Sequence, residues 1–402
     1  MSETLDAHIA TYKRQRWDRR VHRGAAKDDN AAQATWEALA GMAPLSAEQR
    51  EQLASQLHYG QPLKEEQAAL IKERAAHLAK LRAATRSAWS MTVLPAEQGD
   101  GIKVPDYALF IDSVLLLLAD GVARGPDDCL AVAADVVRLG QDLVPGAPLE
   151  AASISMRATS IAAPVITRCA QQADADALLR TARELRGMAT NPPPVGGGIE
   201  LADIVAMVQL RKLADIFSDE GDETLLVRLR RRPAIYAAWQ HFDRPTRWRE
   251  LSAVEYPDSL ETWRREHEWR SRSGLMLVGD ATGGVVGWLY DDMRGQALLR
   301  ILTVGLATLG ERARYGRLPS EPAGLGDRAL RDPYNGQALH WRLSQDADEL
   351  SIWSVGEDRR DDKGARDWAD QAPIDVVVHF ALVSTKPEPK KADRRRRHSR
   401  KK

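Results

Sequence analysis

The sequence has few of the features that usually identify a function. Its 402 residues include only two cysteines, too few for a disulfide scaffold, and Cys129 and Cys169 lack the Cys-x-x-Cys spacing of zinc sites. The best candidate for a membrane span, Ser113–Ala119, lies between Asp112 and Asp120. A membrane-spanning helix needs about 20 apolar residues, so this run predicts a buried core helix instead.

A targeting signal is also missing from the given sequence. Met1–Ala10 alternates polar and apolar residues, whereas a secretory signal has an apolar run of roughly 7–15 residues. The chain as given therefore predicts a cytoplasmic protein without a transmembrane segment. If an N-terminal anchor is missing from it, we expect an envelope-associated protein.

Familiar catalytic motifs are absent. Glu266-His267-Glu268 begins like a zinc-protease helix, but Ser271 stands where the second histidine is needed. The glycine-rich stretch 279–287 lacks the Lys-Ser/Thr of a phosphate-binding loop. The sequence thus indicates no catalytic and no cofactor-binding residue. It favours a non-enzymatic structural or interaction protein with an unidentified protein partner. An enzyme whose site is assembled only by the fold stays open as an alternative.

Charge is unevenly distributed along the chain. The net charge is zero, but residues 386–402 carry ten Lys or Arg and two acids, a balance of +8, which leaves −8 for residues 1–385. A segment of this composition cannot bury a core and is predicted to be disordered. It is either a solubilising tail or a nonspecific binder of nucleic acid or of an anionic surface.

Helix signals dominate the rest of the chain. Ser46 and Gln49 form a capping-box pattern, and Leu115–Leu118 point to all sides of one helical turn, which predicts a central helix. We divide the chain into six parts: a basic irregular segment at 1–28, a helical array at 29–190, a Pro/Gly linker at 191–198, a second helical part at 199–293, a helix plus β-meander at 294–383, and the disordered basic tail at 384–402.

The two cysteines fall on consecutive predicted helices, Asp127–Leu143 and Leu149–Gln171. An antiparallel hairpin with equal arms places Cys129 opposite Ile161–Val165, and Cys169 is then about 9 Å farther along at 1.5 Å per residue. A disulfide needs Cα atoms within about 7 Å. We therefore predict two reduced, mostly buried thiols.

The C-terminal part combines a helix with strand signals. Residues 279–284 predict a loop or helix break, and Gln296–Tyr315 predicts an apolar helix. Three strand-like runs follow, at Ala338–Leu343, Glu349–Val355 and Ile374–Val383. A three-stranded antiparallel meander packed on the helix is the simplest arrangement. The expected fold is mainly α, with a multi-helix N-terminal body and a small α+β C-terminal module.

Short motifs in this region form a recognisable series: an exit from the helix, an Asp-Pro-Tyr-Asn-Gly turn, and a Ser-Val-Gly-Glu-Asp segment before an aspartate-rich loop. The series resembles the globular half of the major pseudopilins of type II secretion, and also uncharacterised bacterial envelope proteins with the same ending. Pseudopilins begin with a cleavable leader and an apolar spine, which the given sequence lacks, so we infer a pilin-like packing unit and not a pilin. The matching positions are Tyr315, Gly316, Pro319, Asp332, Pro333, Gly336, Ser354, Gly356 and Asp358.

The resemblance also implies a calcium site. In that family the loop binds calcium, which carries over here to the carbonyl of Val355 and the carboxylate of Asp358. The later ligand has no unique match, and Asp367 and Asp370 are the candidates. The alternative is a solvated mixed-charge loop without metal, because Arg359, Arg360, Lys363 and Arg366 are interleaved with the aspartates.

Overall fold

The computed structural model describes residues 21–22, 27–90, 106–145, 147, 150–193, 276–364 and 375–382. It confirms the expected fold class: a helical body followed by a small α+β module. The first half comprises β1 (Val21–His22), β2 (Lys27–Asn30), α1 (Ala31–Leu39), α2 (Ala47–Tyr59), α3 (Glu65–Ala84), β3 (Ser87–Ser90), α4 (Tyr107–Arg124), α5 (Pro126–Asp142), α6 (Glu150–Ala170) and α7 (Ala175–Thr190). The second half comprises α8 (Met276–Tyr315), a 3₁₀ turn (Arg328–Leu330), β4 (His340–Leu343), β5 (Glu349–Ser354) and β6 (Val376–Ala381).

A small N-terminal sheet was not expected from the sequence. Its strand order is β1-β3-β2, with β1 antiparallel and β2 parallel to β3. Strand β1 and the first half of β2 lie in the segment 1–28, which was expected to be irregular. Strand β3 follows α3 directly. Strands of two to four residues are too short for an alternating hydrophobic pattern to develop, so their pairing depends on tertiary contacts.

The N-termini of the first helices are fixed locally. The Asn30 side chain accepts from Ala32 N at 3.2 Å and caps α1. At α2, Ser46 Oγ accepts from Gln49 N at 3.1 Å while Gln49 Oε1 accepts from Ser46 N at 3.0 Å. This capping box was predicted from the sequence and is confirmed, since it needs only residues three positions apart.

Helix α4 is central, as predicted. Leu115, Leu116, Leu117 and Leu118 are at most 1% exposed. The same helix also buries Asp112, whose carboxylate accepts from Arg50 Nε at 2.6 Å and from Leu45 N at 2.8 Å. Because a buried charge is costly unless it is paired and hydrogen-bonded, this ion pair fixes the start of α2 against α4.

The prediction of two reduced thiols is wrong, although both cysteines are buried as expected. Cys129 and Cys169 form a disulfide, with their Cα atoms 6.3 Å apart. The error lies in the assumed register of the helix pair. A Cβ placed on Gly140 of α5 would lie 3.2 Å from Ala158 Cβ of α6, so these two positions are opposite each other. Cys129 lies eleven residues before Gly140 and Cys169 eleven residues after Ala158, so the observed register brings the two cysteines together.

Helix α8 is longer than the sequence suggested. It spans 40 residues, from Met276 to Tyr315, and includes the stretch 279–284 that was expected to be a loop or helix break. Glycine costs only about 1 kcal/mol per residue relative to alanine in a helix, so the expected break was a weak inference. The helix therefore crosses the expected boundary at 293/294.

Helix α8 packs against both the helical body and the C-terminal sheet. Three of its glycines, from the middle of the helix onward, allow close approach. Added Cβ atoms would lie 3.2 Å from Met156 at Gly295, 2.7 Å from Leu179 at Gly310, and 2.0 Å from the Phe380 ring at Gly305. Apolar residues from the helical body, α8 and the sheet thus form one continuous core.

The C-terminal sheet is the expected antiparallel meander, with strand order β4-β5-β6. Alternate residues of the central strand β5 face α8, and Leu350 and Ile352 are buried there. Residues of the opposite face pair across the strands, with Trp353 beside His340 of β4 and Ser351 beside His379 of β6. None of the helices in the described ranges is long and apolar enough to cross a membrane.

We expect Gly305→Ala to lower the free energy of unfolding by about 1–3 kcal/mol, as overpacking does in a dense core. The reason is that Phe380 is fully buried and cannot easily move away from a new methyl group. Gly187→Ala is the matched control. Gly187 is exposed on α7, with nothing within 4 Å of an added Cβ, so this change should stabilise by up to about 1 kcal/mol. Chemical denaturation measures both, and equal stability of Gly305→Ala and the wild type would contradict the packing.

Candidate functional site

Asp332 connects the Asp-Pro-Tyr-Asn-Gly turn to the end of β5. Its carboxylate is fully buried and accepts hydrogen bonds from Tyr334 N, Ser354 Oγ and Val355 N, each at 2.9 Å. Gly336 N donates to the Asp332 carbonyl at 2.9 Å and closes the turn. Two motifs that lie about twenty residues apart in the sequence thus form one hydrogen-bonded unit, which determines where the aspartate-rich loop begins.

The loop after β5 is a series of tight turns. Gly356 has φ 67° and Gly364 has φ 72°, values in the left-handed region that glycine adopts readily. Between them, Asp358 Oδ1 accepts from Arg360 N at 3.0 Å, and Asp361 Oδ1 accepts from Lys363 N at 2.9 Å. These aspartates therefore shape the backbone of the loop.

Trp353 holds the loop against the outer face of the sheet. Its Nε1 donates to Asp361 Oδ1 at 2.9 Å, and its ring stacks on His340 with centroids 5.6 Å apart. A Cβ on Gly364 would lie 3.3 Å from the indole. Trp353 is only 5% exposed although it faces away from the core, so the loop and β4 together cover it.

Asp361 is ionised readily in this setting. Burial alone would raise its pKa, but the hydrogen bonds from Trp353 and from Lys363 N, together with the charge of His340, lower the pKa below its usual value. Its second oxygen lies 3.4 Å from His340 Nδ1. Both oxygens of Asp361 thus already have partners on the sheet and in the loop.

Asp375 behaves differently. It lies at the end of the loop, just before β6, and is 6% exposed. Gly364 N donates to its Oδ2 at 2.9 Å, while its buried Oδ1 has no hydrogen-bond partner among the described residues. Its pKa is raised to about 6, chiefly by burial and further by the charges of Asp362, Asp361 and Asp358, although the Gly364 hydrogen bond lowers it. A buried carboxylate oxygen without a partner is costly, and a proton, a water molecule or a cation would each satisfy it.

The predicted calcium ligands are only partly described. Val355 is buried and its N–H is bonded to Asp332, while Asp358 is half-buried at the start of the loop. Asp367 and Asp370 lie outside the described residues. Within the described part of the chain, no group of three or more His, Cys, Asp or Glu side chains is placed to hold a metal ion. Ligands from 365–374 would therefore be needed to complete such a site.

A Ser-His-Glu cluster that the sequence did not suggest lies on the outer face of β5 and β6. His379 Nδ1 is 2.9 Å from Ser351 Oγ and 2.8 Å from Glu349 Oε1. A catalytic triad needs the serine and the carboxylate on different ring nitrogens, whereas both contact Nδ1 here. Ser351 is also only 4% exposed. The cluster thus stabilises strand pairing and does not activate a nucleophile.

A buried polar network links α8 to the Asp332 turn. Gln296 Nε2 donates to Asp292 Oδ2 at 3.1 Å, Arg300 Nη2 donates to Gln296 Oε1 at 3.3 Å, and Arg300 Nη1 donates to the Arg331 carbonyl at 2.5 Å. Burial raises the pKa of Asp292 to about 7, although Gln296 and Arg300 lower it. Asp292 is thus a titrating group inside the core.

Comparisons with known proteins identify no relative. No family model, no curated protein and no solved structure matches this chain. The Glu266-His267-Glu268 segment and the basic tail lie outside the described residues, as does the linker after residue 193.

We expect Asp292→Asn to remove part of the dependence of stability on pH. Folding raises the pKa of Asp292 to about 7 from an unfolded value of about 3.9. The neutral carboxyl therefore contributes stability that is fully present below about pH 4 and is lost as pH rises through about 7. Chemical denaturation at pH 4, 5.5, 7 and 8 should show that the free energy of unfolding of the wild type falls by an amount on the order of a few kcal/mol as the pH rises. The variant should not show this fall. Exposed Asp346→Asn is the control, and parallel curves for wild type and Asp292→Asn would contradict the assignment.

Proposed function

We propose that this protein is a non-enzymatic structural or interaction protein whose C-terminal loop is completed by a calcium ion. The helical body and the sheet would act as a rigid support. The loop on the outer face of the sheet would form the surface that contacts a partner. The resemblance to pseudopilins suggests calcium, and the loop geometry supplies independent support for a cation.

The observation that carries the proposal is the free oxygen of Asp375. This oxygen is buried without a hydrogen-bond partner among the described residues, and the carboxylates of Asp358, Asp361 and Asp362 are close enough to raise the pKa of Asp375. Calcium accepts six to eight oxygen ligands in irregular geometry. A cation here would satisfy the orphaned oxygen and reduce the repulsion among the acids.

The ligands proposed are those that the sequence suggested, together with Asp375. Val355 would supply its carbonyl, Asp358 a carboxylate oxygen, and Asp367 or Asp370 a further carboxylate. Asp361 is the poorest candidate, because Trp353 Nε1, Lys363 N and His340 already surround its oxygens. When bound, the ion would supply positive charge that fixes the loop over the sheet.

Calcium should raise the melting temperature by mass action, because it binds the folded loop. Asp358→Ala should abolish this rise. Asp375→Asn should also reduce it, but should stabilise the calcium-free protein at pH 8, since it removes a buried charge. The measurement is thermal unfolding with calcium, magnesium or chelator.

The control for these variants is Asp346→Ala, which changes an exposed acid in the turn between β4 and β5 and should leave the calcium response intact. Isothermal titration that detects no uptake at millimolar calcium would contradict the metal site. In that case the mixed-charge loop, neutralised by its own Arg and Lys residues and by a proton on Asp375, would remain.

A second candidate function rests on the basic tail. Residues 386–402 carry a balance of +8, and such a segment attracts nucleic acid or anionic lipid surfaces. Deleting 386–402 should abolish binding to DNA and to anionic vesicles, and the binding of the full chain should weaken steeply with salt. Binding that is unchanged by the deletion would assign the interaction to the folded part instead.

A further inference from the structure

The disulfide lies at one end of the α5–α6 helix pair. Cys129 is in the first turn of α5 and Cys169 in the last turn of α6, and they are 1% and 9% exposed. Since α5 ends at Asp142 and α6 begins at Glu150, the chain passes from one helix to the other at the opposite end. The two cysteines are separated by 40 positions in the sequence. Their bond therefore joins the two helices at the end where the chain itself does not connect them.

The start of α7 depends on the same region. Ala173 N donates to the Cys169 carbonyl at 3.0 Å, and Asp174 N donates to Asp127 Oδ1 at 3.0 Å. Asp174 in turn caps α7 by accepting from Ala177 N at 2.6 Å. Because α7 packs against α8, the closed end of the α5–α6 pair positions the next helix and, through it, the helix that carries the C-terminal sheet.

We propose that the Cys129–Cys169 bond is a redox lock, which makes full stability of the helical body conditional on an oxidising compartment. Structural disulfides persist in such compartments and are rare in reducing cytosol. The proposal therefore replaces the expectation of a cytoplasmic protein. It is independent of the calcium site, since no residue of the C-terminal loop takes part.

The oxidant that the lock requires is a protein disulfide of the thiol-oxidase class. One cysteine thiolate of this chain attacks a sulfur of the oxidant's disulfide. A mixed disulfide forms between the two proteins, and the oxidant's other sulfur is released as a thiolate. The second cysteine thiolate of this chain then attacks the sulfur of the first cysteine in that mixed disulfide and displaces the oxidant's other thiolate. The Cys129 Sγ–Cys169 Sγ bond forms, the two electrons reduce the oxidant's disulfide, and the two protons given up by the cysteine thiols are balanced by the two that the oxidant takes up when it leaves as a dithiol.

Burial determines when this exchange takes place. With both cysteines at most 9% exposed, neither an oxidant nor a reductant reaches the sulfur atoms in the folded chain. Oxidation must precede closure of the α5–α6 pair, and reduction must await its opening. The bond is thus a lock that is set during folding, and it does not respond to the redox state once the protein is folded.

The test compares oxidised and reduced forms of the full chain. Alkylation after denaturation should find no free thiol in protein folded with a disulfide donor, and two in protein folded in excess dithiothreitol. Equilibrium denaturation should show a folding constant roughly 30- to 900-fold smaller for the reduced form, as expected for disulfides that close loops of this size. Cys129→Ser, Cys169→Ser and the double variant should all match the reduced form, because each loses the same bond.

Protection of the disulfide by burial is measured through the rate of its reduction. Reduction of the native disulfide by dithiothreitol should be slow in buffer and should accelerate with sub-denaturing urea, since it follows opening of the helix pair. Equal stability of oxidised and reduced protein would overturn the lock. Rapid reduction that is independent of urea would overturn the protection of the disulfide by burial. Free thiols in protein recovered from an oxidising compartment would overturn both the lock and its protection. If the serine variants do not fold, the comparison of oxidised and reduced wild-type protein still decides.

Discussion

The close contact between Gly305 of α8 and the Phe380 ring of β6 is the constraint on which the C-terminal module depends. The sheet can approach α8 this closely only because no side chain lies between them. Gly295 and Gly310 allow close approach of α6 and α7 on different sides of the helix. Helix α8 thus belongs to two packing units at once, and its position in the helical body also fixes the position of the sheet.

A second level of organisation is polar. Asp332 and Arg300 bind the turn after α8 to the end of β5 and to α8 itself, while Asp112 and Arg50 do the same for α2 and α4. Buried charges of this kind stabilise a structure only when their hydrogen-bonding groups are satisfied. Asp332 meets that condition through its three donors, whereas Asp375 keeps a free oxygen among the described residues. The two carboxylates thus differ in how fully the described residues satisfy them, and the proposed cation site rests on this difference.

Much of the fold was predictable from the sequence because its signals are local. The capping box at Ser46 and the leucines of α4 depend on residues a few positions apart, as does the order of helix and three strands in the C-terminal module. The loop residues Val355 and Asp358 were selected through a resemblance and not through their contacts. Asp375, whose buried oxygen supports the proposed cation site, was not singled out from the sequence. Its burial follows from packing against β6 and the Gly364 turn, which no local pattern reveals.

The sequence by itself determined the helical character, the meander and the positions of the turns, since periodicity, caps and turn residues act over a few positions of the chain. Only the tertiary structure decided the register between elements that lie far apart. The disulfide is the clearest case: Gly140 against Ala158 sets an offset between α5 and α6 that a symmetrical hairpin does not have, and this offset joins Cys129 to Cys169. The small N-terminal sheet and the Ser351–His379–Glu349 cluster have the same origin. Register depends on which side chains fit together across an interface, and that choice is made by packing and not by local preference.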